Sequence, residues 1–258
     1  MIVGLLMLGG GAAAGMFGSL LGLGGGVLIV PLLTLGFGLP LREAVGVSLV
    51  SVIMTSSAAA GVYLERHVAN LRLGMSLELF TALGALIGGS VAFLLDERLL
   101  ALLFAGLSAY IAFSMARRRS DPGRQPAGAE GAPDGYVVHD MGKGVIGATF
   151  AGVISALLGI GGGIIKVPLM NLAMGVPLRV ATATSNLMIG ITASASAVIY
   201  LLRGEIDPYV AGPTAIGVFL GATLGSRLAP RIDLRYLRAL FVIVLIYTSI
   251  QMFLKAIG

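Results

Sequence analysis

The sequence predicts an all-α polytopic membrane protein built from two tandem homologous repeats, and three observations predict it. The 258 residues are 57% hydrophobic and only 11% charged, with mean hydropathy +0.99, too little polar surface to coat a water-soluble globule. Apolar runs of roughly the 18 residues a spanning helix needs recur along the chain, without the apolar/polar alternation of a membrane barrel. The stretch GLGGGVLIVP at 22–31 also returns as GIGGGIIKVP at 159–168.

The elements follow in order. Ile2–Leu21 is the first spanning run; Ala12–Ala14 resemble a signal-cleavage site, but no basic residue precedes the apolar core, so we expect a retained helix. After the glycines comes a short segment, Val27–Phe37, which at about 1.5 Å per residue is too short to cross comfortably. Ala44–Leu64, Leu73–Leu95 and Leu99–Ala116 are three further spans. The order then repeats as Val145–Leu158, glycines, the short Ile164–Ala173, Val180–Leu202, Tyr209–Leu228 and Leu237–Leu254. Each copy thus holds four spanning helices plus a short broken or re-entrant helix. The first repeat is assigned to 1–116 and the second to 143–258. The Gly-, Pro- and charge-rich 117–142 is expected to be a flexible cytoplasmic linker.

A shift of 137 positions, the distance from Gly22 to Gly159, aligns the copies without a gap. Gly22, Gly24, Gly25, Gly26 and Pro31 meet Gly159, Gly161, Gly162, Gly163 and Pro168. Pro40, Leu41 and Arg42 meet Pro177, Leu178 and Arg179. Gly84 and Gly88 meet Gly221 and Gly225. Basic residues then bear on orientation. If each copy has odd parity, one side collects Arg66, Arg72, Arg117, Arg118, Arg119, Arg124, Lys143, Arg179, Arg227, Arg231, Arg235 and Arg238, against Arg42, Arg98, Arg203 and Lys255 on the other. Even parity splits them almost equally and leaves no orientation signal. We therefore expect an inverted repeat in a bacterial inner membrane, with periplasmic termini.

Composition excludes other classes. The net charge of +5 lies in loops, as an orientation signal does, and forms no nucleic-acid stripe. With no cysteine, with His67 and His139 both in polar stretches, and with no Ser-His or His-rich spacing inside the helices, neither an enzyme nor a metal or cofactor site is expected. No phosphate-binding loop of the Walker type is present, which points away from ATP-driven transport.

The glycine runs are the functional signal. Four glycines in five positions make backbone that no helix keeps comfortably, and such backbone is tolerated at membrane depth only where it is buried in protein or lines a cavity. The short helix that follows points its N–H groups back at the break, an arrangement suited to an anion. Paired breaks of this kind fit a secondary transporter. The expected substrate site therefore comprises Gly22, Gly24, Gly25, Gly26, Gly159, Gly161, Gly162 and Gly163, with Lys166 four residues past the second break. Lys166 either meets the anion or snorkels to the interface. Ser48, Thr55, Ser185, Asn186 and Thr192 either donate to substrate oxygens or bond neighbouring backbone. Glu78, roughly 9 Å beyond Arg72 along its helix, is either a proton carrier or a carboxylate paired or snorkelled near the interface. Tyr63 and Tyr200 read as interfacial anchors.

The doubled G-x-G-G-G-x-x-x-V-P motif, each copy followed by Pro-Leu-Arg and a Ser/Thr-rich helix, resembles the TauE/SafE family of sulfite and sulfonate exporters. The resemblance covers nearly the whole chain apart from the linker. It implies export of sulfite, sulfoacetate or other organosulfonates, with proton or sodium coupling and a homodimer left open. Ile29 occupies the place of Lys166 in the first copy, so a charged role is carried only to the second. The rival reading is an anion channel or passive uniporter with the same cavity.

Overall fold

The computed structural model describes residues 2–21, 24–65, 69–117, 136–228 and 234–257; among them it contains helices and no strands. Eight helices are long and apolar enough to cross a bilayer: α1 (Ile2–Leu21), α3 (Leu41–Glu65), α4 (Leu71–Ala92), α5 (Glu97–Arg117), α6 (Met141–Leu158), α8 (Leu178–Leu202), α9 (Pro208–Leu228) and α10 (Leu234–Ile257). Two are short, α2 (Gly26–Gly36) and α7 (Gly163–Ala173), and each reaches only about 16 Å, half the hydrocarbon core. Pro31 and Pro168 withhold an N–H in these helices, and the turns after them, Leu32–Gly36 and Leu169–Ala173, widen to π geometry. Each short helix folds back along its predecessor. Gly18 and Gly10 of α1 face Gly25 and Leu32, while Gly147 of α6 faces Leu169.

The packing repeats under the same shift as the sequence. α1 lies against α9 and α4 against α6, with glycines at the closest approach. Gly217 and Gly221 sit on the backbone of Leu8 and Ala12, and Gly84 and Gly88 on that of Thr149 and Val153, where a methyl group would overlap a carbonyl oxygen. Residue numbers rise together within each pair, so the partners run in the same direction. Small residues here let backbones approach, the usual basis of close helix contact in lipid. α5 packs on α10, where the Ser249 hydroxyl donates to the Ala105 carbonyl at 2.8 Å, and α3 packs on α8, where Ser56 donates to the Asn186 carbonyl. Large apolar side chains such as Leu79, Leu83 and Ile87 on α4, and Ile243, Ile246 and Ile250 on α10, face outward. That coat suits lipid, and the molecule is a multi-pass membrane protein.

Two expectations need correction. Tyr200 is not an interfacial anchor; it is fully buried, donates to the Ala156 carbonyl at 3.0 Å and packs 5.1 Å from the Phe93 ring. Its ring fills the space between α6 and the end of α4, where a buried hydroxyl still finds an acceptor. The tail of the linker is packed as well. Asn70 donates through Nδ2 to the Tyr136 hydroxyl, and the His139 N–H donates to the Met174 carbonyl at 3.1 Å. Just before α6 the Lys143 ammonium, hydrogen-bonded to Asp140, holds that carboxyl below the usual carboxylate range. Gly22, Arg66, His67, Arg118, Arg119, Arg124 and Arg231 lie outside the described residues, as do most of the linker and the side chains of Tyr63, Arg117, Arg179, Arg235 and Arg238.

Candidate functional site

At the breaks, Gly24 and Gly25 have φ of 78° and 76°, and Gly161 and Gly162 have 76° and 74°. Consecutive residues in this left-handed region are costly for any side chain with a Cβ, which is why the chain reverses on glycine. The two breaks touch each other. A Cβ on Gly26 would overlap the Gly159 carbonyl and stand 3.0 Å from the Ile160 Cα. Val52 and Ile189, equivalent residues at the middles of α3 and α8, both pack against Gly24 and against Gly161. The glycine runs therefore share one site at the centre of the bundle.

Around that site the copies diverge. In the first, hydroxyls are committed to backbone: Ser48 donates to the Gly159 carbonyl at 2.7 Å and Thr55 to the Ser51 carbonyl at 3.1 Å. In the second, the Oγ atoms of Ser185, equivalent to Ser48, and of Ser155, standing where the first copy has Gly18, are buried without a hydrogen-bond partner among the described residues. Both face the break. A Cβ on Gly162 would lie 3.3 Å from the Ser155 Cβ and 3.5 Å from the Lys166 Cε, and one on Gly163 would lie 3.5 Å from the Ser185 Oγ. Asn186 turns its amide to its own helix, donating to the Thr182 carbonyl at 3.0 Å.

Lys166 does not snorkel. Its Nζ donates to Glu78 Oε2 at 3.2 Å and to Thr192 Oγ1 at 2.6 Å, and the threonine hydroxyl donates to Glu78 Oε1 at 2.6 Å. The lysine and glutamate side chains are only 1% and 4% exposed, and they are the buried charged residues among those described. The triad joins α7, α4 and α8. Under the same shift its counterparts are Ile29 on α2, Thr55 on α3 and Ala215 on α9, so the symmetry-related position carries no charge. Glu78 also lines a small, mostly apolar pocket between α4 and α8, with Asn70, Gly74, Met75, Thr184 and Ile191. Asn70, in the pocket lining, is held in place: its side chain caps α4 by accepting from the Leu73 N–H at 3.0 Å, and its own N–H donates to Thr184 Oγ1 at 2.9 Å.

An ammonium, two unpartnered hydroxyls and the first N–H groups of α7, which have no acceptor within the helix, converge on one break. That set suits an oxyanion. Sequence reasoning selected Lys166, Ser185 and Thr192, which the fold brings together, and Ser48 and Thr55, which it uses structurally. It missed Ser155 and the pairing of Lys166 with Glu78. Comparing the copies sets Lys166 against Ile29 and Glu78 against Ala215, and the same comparison at Ser155, which aligns with Gly18, would have added that serine; none of it shows that Lys166 and Glu78 meet.

The family "Sulfite exporter TauE/SafE" matches residues 7–252. The probable membrane transporter protein YunE of Bacillus subtilis (strain 168) is 27% identical, over 96% of each chain. A probable membrane transporter protein of Xylella fastidiosa (strain 9a5c) is 30% identical over 88% of this chain and 85% of its own. Sulfite exporter TauE/SafE family protein 6 of Arabidopsis thaliana is 35% identical over a shorter stretch, 40% of this chain and 24% of its own. No solved structure matches the chain significantly. Fold, repeat motifs and these matches agree, and the chain belongs to the TauE/SafE sulfite exporter family of membrane transporters.

Proposed function

We propose that this protein is a secondary transporter exporting small sulfur-containing anions, sulfite or organosulfonates, by alternating access around the paired glycine breaks. The second break holds the anion: Lys166 supplies charge, and Ser155, Ser185 and the start of α7 supply neutral donors that permit release. The observation that carries the reading is the contact between the two breaks beside a buried ammonium and two unpartnered hydroxyls.

An inverted repeat in a bacterial inner membrane accompanies this mechanism. Helix directions support it: α8 runs with α4, as the contacts of Thr184 with Asn70 and of Thr192 with Glu78 require, and α4 turns back from α3 after a short connection. The equivalents α3 and α8 are therefore opposed. Such a pair can exchange roles on the two sides of the membrane.

The test is efflux and uptake of radiolabelled sulfite, methanesulfonate, sulfoacetate and sulfate in proteoliposomes. The expected result is saturable movement of a sulfur anion that Lys166→Gln abolishes while the variant still melts cooperatively in detergent. Electrical currents far above carrier turnover would assign a channel instead, and no anion movement in any gradient would remove the transport reading.

A further inference from the structure

The ion pair of Lys166 and Glu78 is not required by the fold, because the symmetry-related helices α2, α3 and α9 build the same hairpin and the same helix contacts with Ile29 and Ala215 in these places. It also conflicts with simple anion binding. The carboxylate already occupies the ammonium that the substrate needs, and its second oxygen is held by Thr192. Two anionic groups on one ammonium in an interior of low dielectric repel strongly, so carboxylate and substrate anion exclude each other. Glu78 has a second face. It lines the pocket between α4 and α8, whereas Lys166 lies on the side of Gly162 and the break. Glu78 thus lies between that pocket and the candidate anion site.

From this geometry we propose that Glu78 is a proton carrier whose protonation opens Lys166 to the anion, so that proton and anion cross together in the same direction. The inference rests on the transport reading above; with proton and anion moving together, net export is driven by the anion's own outward gradient and carries the proton out with it. In the loading step a hydronium ion transfers its proton to Glu78 Oε2, an O–H bond forms and water is released. Lys166 keeps its three protons and turns its hydrogen bond from Oε2 to the anion. On the far side the anion leaves, the O–H bond breaks, the proton passes to water, and the pair re-forms. Glu78, Lys166 and a bound monoanion sum to the same charge as the closed pair, so the empty carrier returns without moving charge.

Among the described residues, few other charges lie near the carboxyl group. Lys166 faces it from α7 and the uncharged Thr192 from α8. On α6 Lys143 is exposed and paired with Asp140, and on α4 itself Arg72 is exposed. Before α6, Tyr136 bonds Asn70 of the pocket lining, and His139 is exposed.

The experiment measures labelled anion and internal pH together in proteoliposomes, with methanesulfonate and sulfite as probes and a pH step as the only driving force. Wild type is expected to accumulate the anion on the alkaline side, with one proton entering per methanesulfonate. Glu78→Gln keeps acceptor and donor positions and is expected to carry the anion down its own gradient with no proton flux and no response to the pH step. A second variant, Glu78→Ala with Lys166→Ile, writes in the residues found at the symmetry-related positions 215 and 29. It is expected to fold, as judged by its melting transition, and to lose anion and proton movement together. Wild type that moves the anion without protons, or against their direction, overturns the inference and leaves the transport reading standing. Proton-driven accumulation surviving in either variant also overturns it. Wild type that moves no anion in any gradient overturns both.

Discussion

Ser48 and Ser185 are equivalent by sequence and opposite by environment, which makes them a controlled pair. Ser48 donates to the Gly159 carbonyl across the two copies, whereas the Ser185 hydroxyl is buried with no partner among the described residues. Removing a satisfied hydroxyl costs about 1 kcal/mol, while removing an unsatisfied buried one is neutral or stabilising. Ser48→Ala should therefore lower the melting temperature in detergent. Ser185→Ala and Ser155→Ala should leave it unchanged or raised, and should increase the KM for the transported anion several-fold. A stability loss at Ser185 equal to that at Ser48 would make both serines structural. Sequence alone ranked these hydroxyls together, because a pattern of serines in an apolar helix carries no record of which acceptors lie across the bundle.

Helix contacts in this protein depend on glycine at a few crossings and ignore it elsewhere. A side chain on Gly88 would overlap the backbone of Val153, whereas Gly106, in the exposed face of α5, has nothing within 4 Å of the added Cβ. Gly88→Val should force α4 from α6 and cost about 1–3 kcal/mol, the usual range for overpacking. Gly106→Ala should be tolerated or stabilise by roughly 0.5–1 kcal/mol, since alanine restricts the unfolded chain at no steric cost. Melting curves of the two variants side by side test this. At the same scale, the four-residue spacing of Gly84 and Gly88 and of Gly221 and Gly225 was legible as packing, and the glycine runs as breaks. That the breaks touch one another was not, because residues such as Gly26 and Gly159 meet only after both hairpins have formed.

Orientation belongs to the whole molecule. The natural chain has no cysteine, so single cysteines report sidedness without background. Val137, which is 65% exposed just before α6, and Lys255, exposed near the end of α10, are predicted to lie on opposite sides. In intact cells a membrane-impermeant maleimide should label Lys255→Cys and spare Val137→Cys until the membrane is opened. The reverse pattern would invert the assignment drawn from the arginine distribution, and labelling of both would sink the odd parity of the repeat.

Membrane residence, helical class, duplication and the position of each break were readable from the chain, because hydropathy, run length and glycine content act locally and need no partner. Selection of Lys166 was also readable, as a lone charge after a break. Its partner was not. Glu78 is 88 residues away, and their meeting at 3.2 Å requires α4, α7 and α8 to pack together. Contacts of that kind depend on how distant helices share one interior, and in a lipid-facing bundle any of several polar residues satisfies the same local rules. Tertiary packing alone decided that, among the described residues, the buried ammonium faces a carboxylate, that Ser48 bonds across the two copies, and that Ser155 and Ser185 have no hydrogen-bond partner beside the second break.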